Sequence, residues 1–364
     1  MSLQKLDIYS LRNIQKASIE PAPGINLITG ENGSGKSSLL EAIFILGRAR
    51  SFRATHIKQV IQFEKNELIV SGLSTHKSGN SFHLGIQLNG KTREIRINQE
   101  NSSKAELAYS LPVLLIHPKS YRLLDAGPQV RREFIDWGVF NDEDDFLVNW
   151  RKYKKALQQR NSLLKTRQAN QINVWNTELV QYGTIVSRYR KQYLEKLKYF
   201  FYEISHYFLD LGSIELKYLC GWDESETFNQ VLINDLDKDL RYGYTHSGPH
   251  RCDFQLFVNG RSVKDFVSRG QLKLLMLALK LAQVKLINRE KETFVCVLVD
   301  DLTAELDIKN KAKLLKYLSE LDCQVFLSTT ELSNFGDLNH LESYKVFHVE
   351  HGDIQLINSS TCST

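Results

Sequence analysis

Gly30, Glu31, Asn32, Gly33, Ser34, Gly35, Lys36 and Ser37 form an unbroken run with the spacing of a phosphate-binding loop. The glycines let backbone N–H groups close around phosphate oxygens. Lys36 reaches the terminal phosphates of a nucleoside triphosphate, and the Ser37 hydroxyl serves as a Mg²⁺ ligand. A strand pattern (Ile25, Leu27, Ile28) precedes the run, and Ser38 opens a helical one (Leu39, Leu40, Ile43, Phe44). A loop feeding a helix N-terminus is where an anion is favoured. Residues Gly30 to Ser38 are therefore expected to bind ATP or GTP.

A second apolar run, Phe294 to Val299, ends in Asp300 and Asp301. Carboxylates at a strand end are where an α/β sheet presents groups to a ligand. Asp300 is expected to hold Mg²⁺ with Ser37, and Asp301 to accept a proton from an attacking water. Lys36, Asp300 and Asp301 are thus the candidate catalytic residues, with ATP and Mg²⁺ as cofactors.

Ser268, Arg269, Gly270 and Gln271 stand ahead of an apolar helix pattern, Leu272 to Leu281. A serine at a helix N-terminus can be an ordinary cap or part of an anion site, and the tetrapeptide alone leaves both open. It resembles the signature motif of ABC-type ATPases, which binds the γ-phosphate held by the opposite subunit. Ala304, Glu305, Leu306 and Asp307 resemble the D-loop of the same class. In transporters of that class the signature follows the phosphate loop far more closely than here, where Lys36 and Ser268 are 232 positions apart. The spacing argues against a transporter subunit, and a DNA clamp that binds ATP without turnover remains the other alternative.

Positioning these residues requires an α/β domain interrupted by a helical insertion. Residues 1–135 read mostly as strand, with period-two alternation at Leu6, Ile8 and at Leu68, Val70, and a hairpin at Asn89–Gly90. Residues 136–240 change period: Phe146, Trp150, Tyr153, Leu157, Leu164, then Leu179, Tyr182, Val186, Tyr189, Tyr193, Leu197, Phe200, Ile204 and Phe208 recur at helical steps. This predicts two long helices in an antiparallel arm, with the aromatic stripe as its seam and a hinge at Leu219 to Asp239. Residues 241–364 return to alternating strands and helices.

The formal charge is +5, but residues 151–200 hold twelve Lys/Arg against two Glu, so that stretch carries +10 and the remainder −5. Such a block is either a nucleic-acid surface or a solvated helix face. Lys152, Lys154, Lys155, Arg160, Arg188, Arg190 and Lys191 are the candidate DNA contacts. The five cysteines are scattered without Cys-x-x-Cys or Cys/His clustering, which suggests neither disulfides nor zinc. No secretory or membrane-spanning pattern stands out, and a cytoplasmic, nucleoid-associated protein is expected.

The organisation resembles SMC-like DNA-repair ATPases, with a short arm in place of a long coiled coil. Gly47 to Arg53, Pro128 to Asp136, Ser247 to Arg251 and Ser268 to Lys273 are similar to segments of the bacterial RecF family, in the family's order and across nearly the whole chain. The resemblance implies an ABC/SMC-like ATPase head split by the arm. It also implies an ATP-dependent homodimer on DNA, action with RecR and RecO to load RecA at gaps, and a role in recombinational repair, replication restart and SOS induction. Residues Ser268 to Gln271 would then act in trans, and Arg12 and Asn13 would approach the nucleotide. Asp301 stands where ABC ATPases place glutamate, and Ser328, Thr329 and Thr330 follow a strand where a switch histidine is expected. Slow, DNA-stimulated hydrolysis serving as a timer is the expected consequence. Cys252 stands where an acidic residue is expected, leaving Asp253 as the nearby carboxylate. His250 is either functional or a hydrogen-bonded loop histidine.

Overall fold

Alternating apolar residues at the N-terminus become long antiparallel strands, and the unbroken apolar runs become short buried parallel ones. The computed structural model describes residues 2–75, 79–89, 92–168, 171–290, 295–301, 306–332, 341 and 343–360. The chain begins with strands β1 (Ser2–Leu11), β2 (Ile14–Ile19) and β3 (Ile25–Thr29), then helix α1 (Lys36–Arg48). Next come β4 (Glu67–Thr75), β5 (Ser81–Asn89), β6 (Arg93–Ile97), β7 (Glu100–Asn101), α2 (Lys104–Ser110) and β8 (Val113–Ile116). The middle holds α3 (Arg122–Asp125), α4 (Pro128–Asp142), α5 (Phe146–Lys165), α6 (Ile172–Phe208), β9 (Ile214–Leu219), α7 (Phe228–Asn234) and α8 (Leu236–Tyr242). Then follow β10 (Asp253–Val258), β11 (Arg261–Ser262), α9 (Val263–Phe266) and α10 (Arg269–Glu290). The chain closes with β12 (Cys296–Val299), α11 (Ile308–Glu320), β13 (Gln324–Thr329), β14 (Tyr344–Glu350) and β15 (Asp353–Ser360).

Two compact units result, Met1–Ser120 with Val284–Thr364, and Tyr121–Gln283. In the first, β2-β1-β4-β5-β6-β7 form an antiparallel sheet, while β15-β14-β3-β13-β12-β8 form a second sheet that is parallel except for β15. Helix α1 packs into a core shared by both sheets. Its Leu39, Leu40, Ile43, Ile45 and Leu46 are buried with Ile8, Val70, Leu298 and Phe326. Each such side chain contributes roughly 1.5–3 kcal/mol of burial, which fixes the start of α1 and hence the loop before it. β13 lies between β3 and β12, so the ends of the two chemistry-bearing strands are held one strand apart.

In the second unit α5 and α6 pack along each other. A Cβ on Gly183 of α6 would come within 3.1 Å of the Tyr153 ring of α5. Tyr153, Tyr193, Phe200 and Phe208 are buried, so much of the aromatic stripe is core. This unit extends past the expected arm because neighbouring elements join it. The Tyr193 ring lies so close to Gly138 of α4 that a Cβ there would sit 2.1 Å away, and β10 pairs with β9. The expected hinge at Leu219 to Asp239 is corrected. It holds α7 and α8, with Thr227 accepting from the Gln230 N–H as an N-cap and Phe228, Val231, Leu232 and Asp239 buried. Among the described residues, no helix is long and apolar enough to cross a membrane.

Candidate nucleotide and nucleic-acid sites

Residues 30–35 join β3 to α1. Gly30, Gly33 and Gly35 take φ values of 147°, 83° and 124°, backbone conformations that side chains disfavour. A Cβ on Gly30 would lie 2.2 Å from the Val349 carbonyl oxygen, whereas a Cβ on Gly33 would meet open space. Lys36 is buried and its Nζ donates to the carbonyls of Gly30 at 2.7 Å and Glu31 at 2.8 Å. Burial lowers its pKa, opposed by the charges of Asp301 and Asp300. Ser34 Oγ is buried without a hydrogen-bond partner. A buried hydroxyl without a partner invites explanation, and a phosphate oxygen in this loop would satisfy it.

Ser37 Oγ donates to Asp300 Oδ1 at 2.9 Å, and Ser328 Oγ donates to the same oxygen at 3.0 Å while accepting from the Asp301 N–H at 2.9 Å. Burial raises the pKa of Asp300 against the pull of these two hydroxyls. A serine hydroxyl and a carboxylate meeting at this distance are the hard oxygen donors that suit Mg²⁺. Asp301, at φ 50°, lines an open cleft of about 470 Å³ together with Asn32, Gly33, Lys36, Ser37 and Arg53. The cleft therefore gathers the cation, the hydroxyl and the second carboxylate expected from the sequence.

Arg12 and Asn13 also line this cleft. Asn13 Nδ2 donates to the Ser34 carbonyl at 2.7 Å, and its Oδ1 accepts from Ser38 Oγ at 3.0 Å. One side chain thus ties the turn after β1 to both the loop and α1. Arg12 forms a bidentate pair with Glu41 of α1, at 2.9 and 3.1 Å. Glu41 is wholly buried and also accepts from the Ser51 hydroxyl. Arg53 Nη1 stands 4.0 Å from the same carboxylate. Sequence reasoning missed Glu41 and Arg53. The cations within Gly47 to Arg53 were the available signal for Arg53, whereas Glu41 sits among apolar helix residues with no signal of its own.

At the signature segment the Ser268 N–H donates to Gln271 Oε1 at 2.9 Å and the Gln271 N–H donates to Ser268 Oγ at 3.3 Å. This reciprocal pair is a capping box. Ser268, Arg269 and Gly270 are exposed. Of the expected D-loop, Ala304 and Glu305 lie outside the described residues. Asp307 caps α11, accepting from the Asn310 N–H at 2.7 Å.

The sequence model of the RecF/RecN/SMC N-terminal domain matches residues 2–355. Among curated proteins, the DNA replication and repair protein RecF of Vibrio atlanticus is 39% identical over 98% of this chain and 99% of its own length. RecF of Shewanella halifaxensis is 40% identical over 99% of this chain and all of its own. The chain belongs to the RecF family. A solved structure of the recombination mediator protein RecF-ATPrS in the RecFOR pathway superimposes with a TM-score of 0.85 at 28% identity, covering 98% of each chain. The Smc head domain of Pyrococcus furiosus shares the fold at a TM-score of 0.62 and 16% identity, covering 99% of this chain and 96% of that one. The fold is accordingly that of an ABC/SMC-like ATPase.

In this RecF-family chain the arm cations divide into two groups. Lys152, Lys154, Lys155, Arg188 and Lys191 are exposed. Lys152 lies 4.9 Å from the Tyr182 ring centroid, Lys154 4.9 Å from that of Trp150, and Arg188 5.5 Å from that of Tyr189. Lys191 Nζ is 3.3 Å from Glu224. Arg160 and Arg190 must be corrected: they are 0% and 3% exposed and so cannot be surface contacts. Arg160 donates to Asp239 at 2.6 Å, Thr245 at 2.7 Å and Asn176 at 2.7 Å. Arg190 clasps Asp136 at 2.7 and 2.9 Å and donates to the Pro249 carbonyl at 2.6 Å. Arg160 falls in register with Tyr153, Ala156 and Leu164, all buried, so the helical period itself placed it on the inner face.

His250 is the hydrogen-bonded loop histidine. Its Nδ1 lies 2.7 Å from Tyr153 Oη and its Nε2 3.0 Å from the Thr245 carbonyl. The carbonyl can only accept, so Nε2 carries the proton and Nδ1 accepts from the tyrosine. Asp253 is held by Arg131 at 2.6 and 2.9 Å.

Proposed function

We propose that this chain is an ATP-dependent, DNA-binding recombination mediator with slow, DNA-stimulated ATP hydrolysis. The observation that carries the reading is the meeting of Ser37 Oγ and Asp300 Oδ1 at 2.9 Å beside buried Lys36 and the partnerless Ser34 hydroxyl. Residues Gly30 to Ser38 bind the triphosphate, Asn13 fixes the loop, and Ser37 with Asp300 holds Mg²⁺. The metal would supply charge neutralisation at the phosphates. Asp301 accepts the proton of the attacking water, and its side chain, one methylene shorter than glutamate, supports slow turnover.

Two copies close on ATP, with Ser268 to Gln271 of each contacting the nucleotide of the other. Hydrolysis then removes the bridging charge and reopens the pair, so it acts as a timer. Lys152, Lys154, Lys155, Arg188 and Lys191 contact DNA phosphates without reading sequence, which makes binding fall with salt. Membership of the RecF family supports RecR and RecO as partners, RecA loading at gaps, and a cytoplasmic, nucleoid-associated location as parts of this reading.

The test is sedimentation of the wild type and Ser268→Arg with Mg-ATP, with and without duplex DNA, while phosphate release is followed. The expected result is an ATP-dependent dimer whose turnover DNA accelerates, and a variant that binds ATP yet stays monomeric. If wild type and variant are both monomeric with equal nucleotide and DNA binding, the clamp is wrong.

A further inference from the structure

Helix α8 ends at Gly243, whose φ of 75° turns the chain left-handed. The turn sets Tyr242 and Tyr244 together, ring centroids 6.3 Å apart, with 59% and 38% of their surface exposed. The His246 imidazole completes a triangle, 5.2 Å edge-on from Tyr242 and 4.3 Å from Tyr244. A single exposed ring needs no explanation, but three grouped rings form a surface.

That surface is fixed from beneath. His246 Nδ1 lies 2.8 Å from Asp239 Oδ1, and the other carboxylate oxygen of Asp239 is held at 2.6 Å by the buried Arg160. The imidazole held in this way gives both tyrosine rings a fixed neighbour to pack against. Cations surround them. The Arg251 guanidinium carbon is 5.4 Å from the Tyr244 ring, and Arg241 and Lys165 are exposed beside the turn. A Cβ on Gly243 would lie 3.3 Å from Lys165 Cγ. Asp237 and Lys238, also exposed on α8, offset each other.

We propose that Tyr242 and Tyr244 form a stacking platform for unpaired bases of single-stranded DNA. Every base presents a π-face, whatever its identity, while the backbone phosphates meet Lys165, Arg241 and Arg251. A duplex keeps its bases stacked on one another and cannot use the rings. The platform therefore distinguishes a gapped or tailed duplex from a blunt one. It rests on the DNA-binding reading above and is independent of the ATP clamp.

The test compares the full chain with its Tyr242→Ala/Tyr244→Ala and Tyr242→Phe/Tyr244→Phe forms. End-labelled oligothymidylate, a tailed duplex and a blunt duplex are titrated by fluorescence anisotropy, with thermal melting as the folding control. The alanine pair is expected to lose about tenfold or more in affinity for oligothymidylate and to bind the tailed duplex no better than the blunt one. The phenylalanine pair keeps wild-type affinity, and blunt-duplex affinity stays within about twofold throughout. Equal oligothymidylate binding by the wild type and the alanine pair overturns the platform and leaves the rings to a protein partner or to solvent. Wild-type binding to the blunt duplex alone overturns the platform but spares the DNA-binding reading. Binding to none of the three probes overturns both.

Discussion

Ser328 Oγ on β13 donates to Oδ1 of Asp300 at 3.0 Å and itself accepts from the Asp301 N–H at 2.9 Å. One buried serine thus orients the first carboxylate at the end of β12 and holds the backbone turn that carries the second. It occupies the region where a switch histidine is expected in ABC ATPases.

Ser328→Ala removes a bond that favours the ionised form of Asp300, whose pKa burial already raises. Metal binding needs the carboxylate, so Mg²⁺-dependent ATP affinity falls as pH drops through that raised pKa. The variant should show this loss at higher pH than the wild type. At neutral pH the deleted bond is worth about 1.5–3 kcal/mol to a charged group, which predicts roughly tenfold or greater weakening of ATP binding with Mg²⁺. Binding without metal should change little, and Ser328→Thr should restore the wild-type profile. Calorimetric titration with and without Mg²⁺ decides, and an unmoved acid limb in Ser328→Ala would remove Ser328 from the site.

Arg160 and Lys154 sit six positions apart on α5 and should respond oppositely. Arg160→Met leaves Asp239 charged and buried without its cation, a loss of about 3–5 kcal/mol. Lys154 lies on the exposed face, so Lys154→Ala should stay within about 0.5 kcal/mol of wild type. The lysine variant should instead weaken duplex binding and flatten its dependence on salt. Urea unfolding and salt titration of DNA affinity separate the two effects, and a destabilised Lys154→Ala beside a stable Arg160→Met would invert the assignment.

The contrast between these two cations marks what the sequence could convey. The phosphate loop was legible because its chemistry demands particular residue types at fixed spacing, and its strand-loop-helix setting is local. That Ser37 would meet Asp300 across 263 positions depends on β13 lying between β3 and β12, which no local pattern encodes. Arg160 and Arg190 were misplaced because charge was counted along the chain rather than around the helix, although the period that buries Tyr153 and Tyr193 also buries them. α7 and α8 are seven residues each, too short to establish a helical period. Asn13 and Glu41 act through contacts formed only when the chain closes on itself.

His250 provides a pH test of the second unit. Burial pushes its pKa down from 6.5 to about 4, opposed by its bond to the Thr245 carbonyl. Between those values the unfolded chain binds a proton at this position that the folded chain refuses. Stability therefore rises with pH across the window. The contribution of neutral His250 is fully present above pH 6.5 and is lost as pH falls towards 4. His250→Gln offers an amide that keeps no titration in this range. It should cost stability at neutral pH by removing the ring packed beside Tyr153, centroids 6.4 Å apart. The difference from wild type should then narrow on acidification. Urea unfolding at neutral pH and at pH near 5 measures both slopes, and parallel slopes for the two proteins would mean that His250 is protonated in the folded state.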